Sequence, residues 1–125
     1  MNFEKQTNPR ERRVLIVDDN PDAVHSFTAL VRLLGHNVEF AVNGSVAMDV
    51  ARRFRPDIVF LDLGLPGLDG YEVARRLREE LAGQVRIIAV TAYGADQDRE
   101  ASRQAGCEQH LVKPVDPQFI ASFLA

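Results

Sequence analysis

Five residues of this 125-residue chain combine reactive types with a common setting: Asp18, Asp19, Asp62, Thr91 and Lys113. Each follows a short apolar run. Asp18 and Asp19 follow Val14–Val17, Asp62 follows Ile58–Leu61, Thr91 follows Val85–Val90, and Lys113 follows Leu111–Val112. Three carboxylates converging within about 5 Å repel one another by roughly 3 kcal/mol per pair at an effective dielectric of about 20. A small domain has only about 5–15 kcal/mol of net stability, so such a cluster calls for a cation. The set holds no His or Cys, and an oxygen-only site suits Mg²⁺ or Mn²⁺. A divalent ion and the Lys113 ammonium would together balance three carboxylates. A carboxylate nucleophile in that setting can form an acyl phosphate, with the cations neutralising charge as a phosphoryl group transfers. Taken singly, these residues are ordinary. An Asp pair suits a turn or helix cap, Thr91 a strand end, and Lys113 a solvated surface. Their joint placement is what carries the chemistry.

The elements that position them follow from pattern. Runs that are apolar on every residue suit strands covered on both faces. Val14–Val17 and Ile58–Leu61 are such runs, and Val85–Val90 is one apart from Arg86; Val38–Val42, interrupted by Glu39, is a weaker candidate and Leu111–Val112 a very short one. Ala23, Val24, Phe27, Leu30, Val31 and Leu34 share one helical face, with Asn20 as cap, Pro21 in the first turn and Gly35 at the stop. A second helix opens near Ser45, and a third ends near Gly83. A fourth, Ala95–Ala105, has almost no apolar stripe and stops at Gly106, and a short last helix follows Pro117. Five strands alternating with five helices predict a doubly wound α/β fold with a parallel sheet. Ligands of such sheets bind beyond the carboxyl ends of the strands, where the five residues fall.

Composition narrows the function. Hydrophobic residues make up 46% and charged residues 26%, a globular balance that excludes a disordered chain or a disulfide scaffold. The net charge of −3 and the absence of a basic patch speak against direct nucleic-acid binding. The single Cys107 can form neither an intrachain disulfide nor a cysteine-based metal site, and its default setting is the reducing cytoplasm. No apolar run is long enough to span a bilayer, and the first residues have no signal-peptide core. Residues 1–12 read as a polar, flexible lead-in and 13–125 as one domain.

VLIVDDN, IVFLDLGLPGLDGYEVARRL, IIAVTAYG and HLVKPVD, in that order, resemble the receiver domain of two-component response regulators. The resemblance runs from about Val14 to the end and leans toward receivers of hybrid sensor kinases. It implies a flavodoxin-like five-stranded sheet in the order 2-1-3-4-5. It implies that Asp62 accepts a phosphoryl group from a phosphohistidine on a histidine kinase or histidine phosphotransfer protein. By the same resemblance, Asp18, Asp19 and Asp62 hold Mg²⁺ together with the backbone carbonyl of Gly64. Thr91 is the switch hydroxyl, small Ala92 leaves the phosphoryl site open, and Lys113 precedes a proline usually joined by a cis bond. His110, three residues before Lys113, matches an aromatic position that swings inward on phosphorylation, and its residue type adds a pH-sensitive switch. The weakly anchored fourth helix is the expected moving element. Phosphorylation-dependent homodimerisation through the fourth helix, fifth strand and fifth helix is a further implication.

Other readings remain in view. A phosphatase of the aspartyl-phosphate type would carry a second aspartate two residues after the nucleophile, where Gly64 stands. An electron carrier of flavodoxin type would place a phosphate-cradling loop after the first strand, where two carboxylates stand. A degenerate receiver could act as a scaffold without phosphorylation. Asp69–Gly70 reads as turn and cap chemistry, His25 and His36 as exposed, and Cys107 as structural. Arg52–Arg53 and Arg75–Arg76 read as solvated faces or rim charges for a partner.

Overall fold

The computed structural model describes residues 11–65, 69–92, 94 and 96–125. The chain runs β1 (Arg13–Val17), α1 (Pro21–Leu33), β2 (Asn37–Ala41), α2 (Gly44–Phe54), β3 (Ile58–Leu61), α3 (Gly70–Glu80), β4 (Arg86–Thr91), α4 (Asp96–Gln104), β5 (Gln109–Val112) and α5 (Pro117–Leu124). All strand pairs are parallel and the order is β2-β1-β3-β4-β5, the flavodoxin-like doubly wound sheet expected of the sequence.

The central strands are apolar over Val14–Val17, Ile58–Leu61 and Ile87–Val90 because both faces are covered there; Arg13 and Arg86 open β1 and β4. Val14, Ile16, Ile58, Phe60, Ile88 and Val90 pack beneath α1 and α5. Leu15, Val17, Val59, Leu61, Ile87 and Ala89 point the other way, beneath α2 and α3. Among the described residues, no α4 side chain joins either apolar cluster. Ser102 is the one α4 residue that is buried.

Helix starts follow local chemistry. Asn20 accepts hydrogen bonds from the Asp22 and Ala23 amides, Asn43 from Val46, Asp69 from Tyr71 and Asp116 from Gln118. Each satisfies amides that the first helical turn leaves without partners. Gly35, with φ 92°, takes the left-handed turn that ends α1.

The edges depart from the pattern reading. β2 spans Asn37–Ala41 and excludes Val42, which is exposed beyond the strand. β5 starts at Gln109, two residues before its apolar pair. His36 is half-buried, not exposed: its Nδ1 accepts the Arg12 amide hydrogen at 3.0 Å.

Residues 1–10 of the expected lead-in lie outside the described residues. Arg12 is tied on three sides. Its carbonyl accepts from Asn37, and its guanidinium donates to the Leu124 and Ala125 carbonyls at 3.3 and 3.0 Å. Arg86 donates to Phe123 O at 3.0 Å, so two guanidiniums serve the last carbonyls of α5.

Candidate functional site

The sheet itself carries the acidic cluster. The Asp18 amide donates to Ala41 O at 3.1 Å and the Asp62 amide to Val17 O at 2.9 Å, continuing the hydrogen bonding of β1 with β2 and β3. Both carboxylates therefore leave from backbone that the sheet holds in place. Oxygens of Asp18, Asp19 and Asp62 lie within 4.8 Å of one another. Asp18 is buried and Asp62 half-buried, while Asp19 is exposed.

Lys113 reaches into this cluster from the end of β5. Its Nζ donates to Asp18 Oδ2 and to Asp62 Oδ2, each at 3.0 Å. Its own amide donates to Thr91 O at 2.8 Å, which fixes the lysine against the end of β4. Burial by itself would lower the Lys113 pKa, but the hydrogen bonds and charges of Asp18 and Asp62 outweigh it, and the net direction is up. The ammonium is therefore secure at neutral pH. The Lys113–Pro114 peptide bond is cis.

The remaining carboxylate oxygens are partly organised from the backbone. Asp18 Oδ1 accepts from Asn20 N at 2.9 Å and Asp62 Oδ1 from Gly64 N at 2.8 Å. Gly64 thus curls back over Asp62. That turn rests on α3: a Cβ on Gly70 would lie 2.5 Å from Leu63 O, so only glycine lets the helix start this close. Asp69–Gly70 is cap chemistry, as the sequence suggested, and also supports the loop after Asp62.

Thr91 is buried as the last residue of β4, and exposed Ala92 follows it. His110 pairs in register with Ala89 and Val112 with Thr91, so Thr91 and His110 are diagonal neighbours on one face of the sheet. His110 is buried, and its Nδ1 lies 2.9 Å from Ser102 Oγ. In this structure the ring lies inside, held from α4. Ser102 carries no sequence signal, being a lone serine on a polar helix. Arg52, Arg53, Arg75 and Arg76 are exposed and pair with Glu80, Glu39 and Glu72.

An all-oxygen cluster with excess negative charge fits a hard divalent cation such as Mg²⁺. Beside it, an open and mostly apolar cleft of about 580 Å³ runs from Asp18 and Lys113 past Phe27 and Val115 to Ile120.

Residues 14–125 match the response regulator receiver domain family. The chain belongs to that family. It is 35% identical over 107 residues to Protein PilH of Pseudomonas aeruginosa, covering 85% of this chain and 88% of that protein. It is 37% identical over 111 residues to the polar-differentiation response regulator DivK of Brucella anthropi, covering 87% and 90%. Among solved structures it resembles the receiver domain of a sensor histidine kinase from Pseudomonas aeruginosa, with a magnesium ion coordinated in its active-site cleft. The TM-score there is 0.81 at 36% identity, covering 91% of this chain and 94% of the other. A CheY-like receiver from Methanospirillum hungatei shares the fold at a TM-score of 0.85 and 24% identity, covering 91% and 90%. The likeness is thus as strong to receivers of this chain's own length as to one from a sensor kinase. Receiver domains are signalling switches of two-component systems, not enzymes of the usual kind. No helix among the described residues is long and apolar enough to cross a membrane.

Proposed function

We propose that this receiver is the phosphoacceptor of a phosphorelay and that Asp62 is the accepting residue. The observation that carries the reading is the Lys113 ammonium at 3.0 Å from both Asp18 and Asp62 within the acidic cluster. Asp62 is the carboxylate at the middle of the sheet's end, and Lys113 addresses it directly. In the transfer, the P–N bond of a phosphohistidine on a kinase or phosphotransfer protein breaks. A P–O bond to an Asp62 oxygen forms, and the histidine leaves as the imidazole. Asp18, Asp19, Asp62 and the Gly64 carbonyl would hold Mg²⁺, which when bound neutralises phosphoryl oxygens. Lys113 supplies fixed positive charge to the developing acyl phosphate. Thr91, at the end of β4, offers its hydroxyl to the phosphoryl group, and exposed Ala92 leaves room beside it. Hydrolysis by water then returns Asp62 to the carboxylate. A partner presenting the phosphohistidine would seat on the apolar cleft that begins at Asp18 and Lys113.

The output of the reading is a changed surface on α4, β5 and α5, where Val112 and Phe119 are exposed. That surface is also where a phosphorylation-dependent homodimer would form. On this reading residues 13–125 are the receiver domain, working in the cytoplasm beside the kinase or phosphotransfer protein.

The test is incubation with Mg²⁺ and acetyl phosphate followed by intact mass measurement, with Asp62→Asn in parallel. One phosphoryl adduct on the parent, abolished by EDTA and absent from Asp62→Asn, is expected. No adduct with any small donor or histidine kinase would overturn the reading and leave the chain as a phosphorylation-independent scaffold.

A further inference from the structure

α4 is attached differently from its neighbours. α1, α2, α3 and α5 are each sealed by apolar side chains, whereas α4 buries only Ser102. Its attachment is polar. Arg99 Nη1 donates to His110 O at 3.1 Å, and its Nε donates to Gly94 O at 3.3 Å. Ser102 Oγ donates to Arg99 O at 3.0 Å and also meets His110 Nδ1 at 2.9 Å. A serine hydroxyl has one hydrogen. With that hydrogen on Arg99 O, the Ser102 oxygen accepts from a protonated Nδ1 of His110. The three residues thus form a clasp: the Arg99 side chain bonds the His110 carbonyl, and the Ser102 hydroxyl bonds the Arg99 carbonyl and the His110 ring.

This clasp meets the reactive end of the sheet. His110 shares its face with Thr91 on the adjacent strand. Gly94, gripped by Arg99, lies so close to β5 that a Cβ there would sit 2.7 Å from Val112 Cγ2. A displacement of Thr91 toward a phosphoryl group is therefore delivered to a ring that is bonded to α4, not to one waiting outside.

We propose that Ser102 is a positioning residue that transmits phosphorylation into α4: it holds the His110 ring inside at rest, and the signal is a change in how α4 is clasped to β5. The inference rests on the phosphoacceptor reading and adds the side chain that ties the His110 ring to α4. A helix held by a few hydrogen bonds is the element that a small shift can loosen, because it has little apolar burial to lose.

The experiment is amide hydrogen exchange over residues 96–104 in the full chain, with and without Mg²⁺ and beryllium fluoride as a stable phosphoryl mimic. It is run on the parent, Ser102→Ala, His110→Phe and the double variant, with acetyl phosphate adducts measured by mass on the same samples. Loss of the Ser102 hydroxyl, with its bonds to His110 Nδ1 and Arg99 O, is expected to speed resting exchange of α4 about fivefold to tenfold in Ser102→Ala. Activation should change α4 exchange in the parent and add little in Ser102→Ala, although its adduct still forms. In the His110→Phe background only the bond to Arg99 O is left to lose, so Ser102→Ala should have a much smaller effect. A Ser102→Ala protein whose α4 rests and responds like the parent overturns the proposal, as does a full Ser102→Ala effect in the His110→Phe background. Adduct formation with either result leaves the phosphoacceptor reading standing. Absence of an adduct on the parent removes that reading and this one together.

Discussion

Lys113 and Asp62 lie 51 positions apart in sequence and 3.0 Å apart in space, at the ends of β5 and β3. The strand between them, β4, ends in Thr91, whose carbonyl holds the Lys113 amide. The ammonium is therefore presented to the carboxylate by the order of the sheet, not by a local loop. It serves two acceptors at once, Asp62 and Asp18.

Replacing Lys113 by Met should destabilise the metal-free protein by about 1–3 kcal/mol, since two largely buried carboxylates lose a charged partner. Asp19→Asn should act in the opposite direction. Asp19 is exposed and adds only repulsion to the metal-free cluster, so its neutralisation should stabilise by roughly 1 kcal/mol or less. Both variants should bring down phosphorylation, Asp19→Asn through weaker Mg²⁺ binding. Urea unfolding with EDTA and with Mg²⁺ checks both signs. An Asp19→Asn variant less stable than the parent in EDTA would contradict the account.

Gly70→Ala should cost about 1–3 kcal/mol and also weaken Mg²⁺ binding, because the new methyl pushes against the Leu63 backbone just ahead of Gly64. Gly83→Ala is the control. Gly83 has φ +76° and open space around it, so its replacement should cost about 1–2 kcal/mol and leave Mg²⁺ binding untouched. Equal Mg²⁺ affinity in the two variants would sever α3 from the site.

His36 gives an acid-sensitive contribution to stability. Burial, followed by the charge of Arg12, holds its pKa below 6.5, with Glu11 acting weakly against them. The neutral ring is the form that accepts the Arg12 amide hydrogen. As pH falls through 6.5 toward the folded-state value, the unfolded chain takes up its proton first, so this stabilisation is lost in that window and complete above it. His36→Asn keeps an acceptor near the same place without titrating. The urea midpoint of the parent should fall more steeply from pH 8 to pH 5.5 than that of the variant.

Cys107 should resist thiol reagents in the native state. Burial pushes its pKa to about 11, with Arg78 acting weakly the other way. It sits between α4 and β5, where Arg78 donates to the Val85 and Gly106 carbonyls. Labelling should therefore be limited by opening of that corner. Labelling of the native parent as fast as that of the urea-unfolded chain would show that the thiol is not protected.

Legibility in the sequence follows burial. β1, β3 and β4 announce themselves because both faces are covered and the stretches Val14–Val17, Ile58–Leu61 and Ile87–Val90 are wholly apolar. The caps Asn20 and Asp69 are local chemistry, visible within three residues of each helix start. The carboxylates, Thr91 and Lys113 stand out because they follow those runs directly. Edge strands are harder to bound: Phe40 and Val42 are apolar yet exposed, so hydrophobicity does not mark where β2 stops. His36 looked exposed because its partner, Arg12, is 24 residues away. Ser102 was invisible for the same reason, since its role depends on the strand that returns beside it.

The polar attachment of α4 also leaves its outer face outside the folding of the core. Asp96, Gln97, Glu100, Arg103 and Gln104 are exposed on a helix that adds nothing to the apolar core. Substitutions at such positions usually change stability by no more than about 0.5 kcal/mol. As long as Arg99 and Ser102 are kept, the charge pattern of this face is free to drift. A duplicated copy of such a chain could acquire a new correspondent without first having to relearn how to fold.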